Sequence, residues 1–286
     1  MTLRYTFGSF APVYGKAYFN GSDAADAYGW LSHLWRQGFE RGSILEVPQP
    51  VGFVPRANLV LMRSAEGVSL DKRIAANPVE SVLAGTRLAA RWLVKCQDTA
   101  IPELRCESPC DKIEIFTIID AIAKVAAEHP EHSALLIDMV HELRSLAPKS
   151  NLSPPVVPTH GQFRPAHVFI DDTHVTVIDI EKLFLSDPAK DVARFCYVLK
   201  KTCLEGNGDG ELSERAAQEF VAEYRAHSKS HLENLPYFRA LLALKAFAKL
   251  LNNRKVNETQ RQRMCQAYRA EFERWVQYGL VQKVAA

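Results

Sequence analysis

Apolar residues recur in two rhythms along this chain, and the rhythm changes near Gly67. Before that point the pattern is mostly extended. Residues 3–19 are rich in β-branched and aromatic side chains, punctuated by Gly8, Pro12 and Gly15, and predict a hairpin ending in a strand over 13–19. Ser22 or Asp23 reads as a helix N-cap. Ala24, Ala27, Tyr28, Leu31, Leu34 and Trp35 follow at helical spacing, with Gly38 as the stop. Extended segments resume at Val47 and Val51, and the apolar run over 59–62 reads as a buried strand. After Gly67 the spacing turns helical. An amphipathic helix is predicted over 79–96, a second over 112–128 and a third over 132–146. Pro148, Pro154, Pro155 and Pro158 then force a loop or extended connector. Two short strands over 167–170 and 175–179 flank a polar turn at 171–174. Helices return over 188–204, 211–225, 235–251 and 260–278, with a glycine-rich turn at 206–210.

This order predicts an α+β arrangement: a small β-rich lobe over 1–62 and a larger, mainly helical lobe over 63–286 that contains a β-hairpin. Composition changes the picture little. The 286 residues are 47% hydrophobic and 24% charged, which suits one large domain or two lobes with ample core. A net charge of +2 with no block of Lys or Arg argues against nucleic acid or an anionic membrane as partner. No uncharged apolar run approaches the ~18 residues of a membrane helix, and the N-terminus lacks the layout of a signal peptide. Six scattered cysteines without a secretion signal point to reduced thiols in a cytoplasm. Cys106 and Cys110 lack the second half of a zinc site.

The chemistry is concentrated in residues 159–195, THGQFRPAHVFIDDTHVTVIDIEKLFLSDPAKDVARF. This segment resembles the catalytic core of the aminoglycoside phosphotransferase and choline kinase group. That core shows HGD, four residues, Asn, a short hairpin, Ile-Asp, then Asp-Pro-x-x-Asp. The resemblance implies a two-lobed, protein-kinase-like fold, ATP and magnesium as cofactors, and a hydroxyl of a small metabolite as phosphate acceptor. Here Gln162 stands at the position of the catalytic Asp, and His167 at that of a magnesium-binding Asn.

The resemblance assigns roles residue by residue. Asp179 matches the Asp that holds magnesium, and its carboxylate is the hard oxygen donor that ion prefers. His167 is the second metal position, although imidazole suits zinc, copper or nickel better. Gln162 is an amide and cannot serve as a base, but its carbonyl oxygen can orient a hydroxyl or water, as a Gln does in GTPases. Arg164 is read either as a guanidinium on the transferring phosphate or as a surface Arg. His160 and Asp191 are expected to brace the loop. Asp187, before Pro188, suits a helix N-cap.

In the small lobe, Lys16 resembles the strand Lys that contacts the nucleotide phosphates. Asp26 is the remaining acid to pair with it once Asp23 is taken as a cap. Met62 lies at the segment that resembles the adenine-holding hinge, and is equally explained as core strand. Glu181 reads as a surface residue, and the acids Glu205, Asp209, Glu211 and Glu214 as a solvated helix face. Two functions stay open: a slow or atypical phosphotransferase, and a pseudokinase that binds nucleotide or a protein partner without transfer.

Overall fold

The chain opens with an antiparallel pair, β1 (Thr2–Tyr5) and β2 (Val13–Ala17), in which Thr2 faces Lys16 and Tyr5 faces Val13. The computed structural model describes residues 1–6, 8, 11–76, 78–106, 120, 122–125, 127–148, 156–171, 173–206, 210–253 and 256–285. Helix α1 (Gly21–Leu34) is capped by Asn20, two residues before Ser22, the nearer of the two expected caps. The extended Asn20 backbone lets its side-chain oxygen accept the Asp23 N–H at 2.8 Å. Its buried face is Ala24, Ala27, Leu31 and Leu34, as the spacing predicts. The helix widens over Trp35–Phe39 and stops at Gly38, whose φ of +85° is left-handed backbone that glycine adopts without strain.

Strands β3 (Leu45–Glu46), β4 (Pro50–Val54) and β5 (Leu59–Arg63) follow. The first sheet has the order β1-β2-β5-β4 and places Lys16 opposite Val60 and Met62 opposite Tyr14. The expected boundary between 62 and 63 falls at the last step of β5.

Beyond it lie β6 (Val68–Ser69), α2 (Leu70–Ala76), α3 (Val79–Asp98) and α4 (Ser133–Leu146). Strands β7 (Val157–Thr159), β8 (Val168–Ile170), β9 (Val175–Val177) and β10 (Phe184–Ser186) follow. The β8–β9 hairpin is the expected one, trimmed at both ends. It is flanked by β6 and, in parallel, by β3, giving the sheet β3-β9-β8-β6, while β10 pairs with β7. The chain ends in four helices, α5 (Ala189–Glu205), α6 (Gly210–His227), α7 (Leu235–Leu251) and α8 (Glu258–Ala285). Most of the helix expected over 112–128, and the middle of the glycine-rich turn, lie outside the described residues.

The architecture is therefore α+β, with a β-sheet N-terminal region and a helical C-terminal part. Its helical core is centred on aromatic rings. Trp92 of α3, Phe195 of α5 and Phe220 of α6 are fully buried, and the last two stack at 4.1 Å. Cys96, Cys196 and Cys203 are buried free thiols, Cys106 and Cys265 are also free, and Cys110 lies outside the described residues. Among the described residues no helix is long and apolar enough to cross a membrane.

Candidate active site

The loop from Thr159 to His167 takes its shape from which of its side chains are buried. His160 and Phe163 are fully buried and His167 nearly so, whereas Arg164 is exposed and Gln162 half-buried. Phe163 is the anchor. It stacks on Trp92 with ring centroids 5.8 Å apart and on Phe195 at 5.2 Å. With Phe163 fixed in the core, its neighbours Gln162 and Arg164 are carried on the loop's outer side.

The backbone is tied from below. The Asp191 carboxylate accepts the His160 N–H at 2.6 Å and the Gly161 N–H at 3.0 Å. Burial pushes the Asp191 carboxyl up, against the pull of His160 and of those two N–H donors. The His160 ring meets the Ile178 carbonyl at 3.0 Å, which links the loop to the far end of β9. Asp187 accepts the Ala189 N–H at 2.8 Å at the start of α5, as its place before Pro188 predicts.

Gly161 closes the loop with a φ of +74°, and a Cβ there would lie 2.6 Å from the Phe184 ring and 2.8 Å from the Lys182 carbonyl. Gly161→Ala is expected to cost about 1–3 kcal/mol through backbone strain and overlap. Thermal unfolding checks this, and an unchanged Tm would mean that the loop relaxes without Gly161.

Asp179 follows β9 with a φ of +65°, an uncommon conformation that Asp tolerates better than most residues. One oxygen, Oδ1, lies 2.8 Å from Lys16 Nζ; the other, Oδ2, lies 3.2 Å from His167 Nε2. Lys16 also donates to Glu181, so its ammonium stands between two carboxylates. Burial works against the charge on Lys16, but the hydrogen bonds to Asp179 and Glu181 outweigh it and raise its pKa. Burial likewise raises the Asp179 carboxyl, and Lys16 more than reverses it, holding Asp179 below the usual carboxylate range. Lys16 thus finds its acids across the cleft in Asp179 and Glu181, not in Asp26 of α1. Glu181 is not a surface residue: its side chain is 18% exposed.

His167 is neutral. Burial lowers its pKa to about 3; Asp179 pulls the other way, while His160, Arg164 and Lys16 add to the lowering. Arg164 Nε–H donates to His167 Nε2 at 2.6 Å. Because Arg has no lone pair to offer, this bond assigns the proton of the neutral ring to Nδ1. Nδ1 is buried without a partner. The Nε2 lone pair is therefore committed to the guanidinium, so His167 steadies Arg164 and lies beside Asp179 without donating to it.

Lys16 and Asp179 open onto a narrow cleft of about 20 Å3 between the first sheet and the segment after β9, walled by Leu31, Val60, Met62 and Ile180. A small apolar cavity with convergent charges at its mouth is the usual form of a ligand site. Lys16, Met62 and Asp179 meet there, and His167 and Arg164 join them through Asp179. The donors suit magnesium in kind, because Asp179 and Glu181 offer carboxylate oxygens and already stabilise a positive charge between them. Among the described residues no cluster of three or more His, Cys, Asp and Glu is gathered as a metal cage.

No curated protein matches the chain in sequence. Solved structures match its fold. An amicoumacin kinase in complex with AMP-PNP and Ca2+ aligns over 95% of this chain and 84% of its own, with 12% identity and a TM-score of 0.58. A choline/ethanolamine kinase family protein from Mesorhizobium loti aligns over 96% and 91%, with 14% identity and a TM-score of 0.56. A spectinomycin phosphotransferase in complex with ADP and spectinomycin aligns over 99% and 93%, with 12% identity and a TM-score of 0.53. At these identities the likeness is one of fold, and the fold is kinase-like. The sequence itself goes further: residues 20–229 match the profile of the phosphotransferase enzyme family, a span that runs from the cap of α1 through the braced loop to the end of α6. The chain belongs to the phosphotransferase enzyme family.

Proposed function

We propose that this protein transfers the terminal phosphoryl group of ATP to a hydroxyl of a small metabolite, in a cleft between a nucleotide-binding lobe over 1–62 and a helical lobe over 63–286. One observation carries the reading: Lys16 bridges Asp179 and Glu181 at the mouth of a cleft walled by Met62. A cation and two carboxylates, brought together across more than 160 residues of chain, are the charges a nucleotide triphosphate and its metal require. Met62 and Val60 would pack on the base. Lys16 would exchange its carboxylates for phosphate oxygens. Asp179 and Glu181 would hold magnesium, whose part is to neutralise charge developing on the phosphates. Arg164, exposed and steadied by His167, would hold the transferring group by its paired N–H donors. Gln162 would accept a hydrogen bond from the acceptor hydroxyl and orient it without taking its proton, which makes turnover slow. The buried free thiols suit a reducing compartment such as a cytoplasm.

Thermal unfolding with ATP, with and without magnesium, tests the nucleotide site. At a hundredfold excess over Kd, ATP-magnesium should stabilise the wild type by about 2.7 kcal/mol. Asp179→Ala should lose that gain while keeping the response to ATP alone. If millimolar ATP raises the Tm of neither protein, the nucleotide reading is wrong. A second reading rests on the amide at Gln162: a pseudokinase that binds nucleotide, or a protein partner, without transfer. Stabilisation by ATP-magnesium with no ADP release, in the presence of any acceptor, would favour it.

A further inference from the structure

The cleft beside Lys16 is closed. At about 20 Å3 it has room for about one water, whereas pockets for small-molecule ligands span roughly 300–1,000 Å3. The contact that closes it joins two separate parts of the fold. Lys16 stands on β2, which is paired on both sides, by β1 and by β5. Its side-chain partners stand after β9: Asp179, with Oδ1 2.8 Å from Nζ, and Glu181. Among the described residues Lys16 is the only hydrogen-bond donor to either carboxylate, so one ammonium is shared by two acids. All three side chains are largely withdrawn from water, where such attraction is stronger than at an open surface. The strand holds the Lys16 backbone, and its flexible four-carbon stem is the part free to swing.

We infer that this bridge is an autoinhibitory latch. In the nucleotide-free protein the Lys16 ammonium takes up the two carboxylates that a divalent cation needs, so the cation is admitted only together with a polyphosphate that draws Lys16 away. The inference rests on the reading of Asp179 and Glu181 as magnesium ligands and adds to it how their use is controlled. The ammonium and a divalent cation cannot share these oxygens without bringing like charges together. A cation arriving alone must displace Lys16 and leaves its ammonium with no anion to bond. A nucleotide arriving with the cation supplies phosphate oxygens for Lys16, so both positive charges are matched. For a cation alone, the apparent affinity is reduced by the fraction of time the latch stands open. A latch open a tenth of the time or less therefore weakens binding of a lone cation by about tenfold or more.

The test needs neither nucleotide nor turnover. The full chain is titrated with Mn2+, a hard cation that takes the same oxygen ligands as magnesium, and free Mn2+ is followed by its electron paramagnetic resonance. Lys16→Met should bind Mn2+ about tenfold more tightly than the wild type, or better. Lys16→Met/Asp179→Asn should lose that gain, which assigns it to these carboxylates and not to surface acids. Lys16→Arg, which keeps a cation at the position, should stay as weak as the wild type. Cooperative thermal unfolding shows that each variant is folded, and Lys16→Gln replaces Lys16→Met if the latter is not. A wild type that binds Mn2+ as tightly as Lys16→Met overturns the latch, as does a gain of equal size in Lys16→Arg. The outcome is separate from that of the nucleotide reading. Stabilisation of the wild type by ATP-magnesium, with no Mn2+ gain in Lys16→Met, sinks the latch alone. A Mn2+ gain in Lys16→Met, with no response of the wild type to ATP, sinks the nucleotide reading alone.

Discussion

Gln162→Asp should raise magnesium-dependent ADP release, with water as acceptor, by about 10²-fold, the lower end of what a positioned base contributes. The lower end is appropriate because a loose phosphoryl transition state draws little on the base. The loop geometry supports the gain. Phe163 is fixed among Trp92 and Phe195, the backbone N–H groups of His160 and Gly161 are held by Asp191, and the Gln162 N–H points to His160 Nδ1 at 3.4 Å. None of these contacts uses the Gln162 side chain, so the substitution changes the chemistry at position 162 and leaves its support in place. A carboxylate also brings a signature that an amide cannot. With an ordinary Asp pKa of about 3.9, the added rate should be present at neutral pH and fade as the pH falls below about 5, a limb missing from the wild-type profile. Gln162→Glu separates charge from reach, because it keeps the length of the native side chain. Should Gln162→Asp release ADP no faster than the wild type, the amide is not a damaged base, and the site uses Gln162 for another purpose.

The elements of this fold were legible where the hydrophobic period was sustained. The faces of α1 and α3 were readable because each repeats its apolar residues over three turns or more. Short elements were not. Strand β3 has two residues, and its partner β9 lies about 130 residues away, with Leu45 opposite Val175; no local pattern encodes such a pairing. The cap of α1 was misplaced by two residues because Asn20, Ser22 and Asp23 are all good caps. Of the three, Asn20 has the extended backbone from which a side-chain oxygen accepts the Asp23 N–H.

The site was legible in its frame and not in its charges. The spacing of His160, Asp179, Asp187 and Asp191 was visible in the sequence, and the structure places His160, Asp187 and Asp191 as braces. The partner of Lys16 was not visible. A Glu in a turn normally reads as surface, and only the fold brings Glu181 under a Lys 165 residues earlier. Phe163 was also passed over. The available signal was an aromatic residue between two polar ones in a loop otherwise built for chemistry. The neutrality of His167 depends on burial and on the Arg164 guanidinium, both properties of the folded state.

Glu271→Ala should cost about 3–5 kcal/mol, the loss that follows when one member of a buried ion pair is removed, and lower Tm by roughly 10 °C at about 2–4 °C per kcal/mol. Glu271 of α8 is 5% exposed and gathers the charges of three helices. Its Oε1 accepts from Trp275 at 2.7 Å and from the Arg239 guanidinium of α7, which is itself 4% exposed. Its Oε2 accepts from Lys200 of α5 at 2.8 Å and from Arg274 at 2.9 Å. Burial alone would push the Glu271 carboxyl up, but the Arg239, Lys200 and Arg274 charges overcome it and hold it far below its ordinary value near 4.5. The sign of the pH dependence follows. A carboxyl whose pKa is depressed by folding gives its full stabilisation above the unfolded value, and the gain is lost as pH falls from there through the folded value. Wild-type stability should therefore drop as pH falls below about 5, more steeply than in Glu271→Ala, and the two unfolding curves should converge in acid. Removing both partners separates the pair's net worth from the cost of an orphaned charge. Arg239→Met/Glu271→Leu should recover most of what Glu271→Ala loses, because Lys200 and Arg274 can reach solvent and Arg239 cannot. Urea unfolding of the three proteins at pH 7 and pH 4 measures all of this. A Glu271→Ala protein as stable as the wild type at pH 7 would show that water enters between α5, α7 and α8 and that the cluster does not hold those helices together.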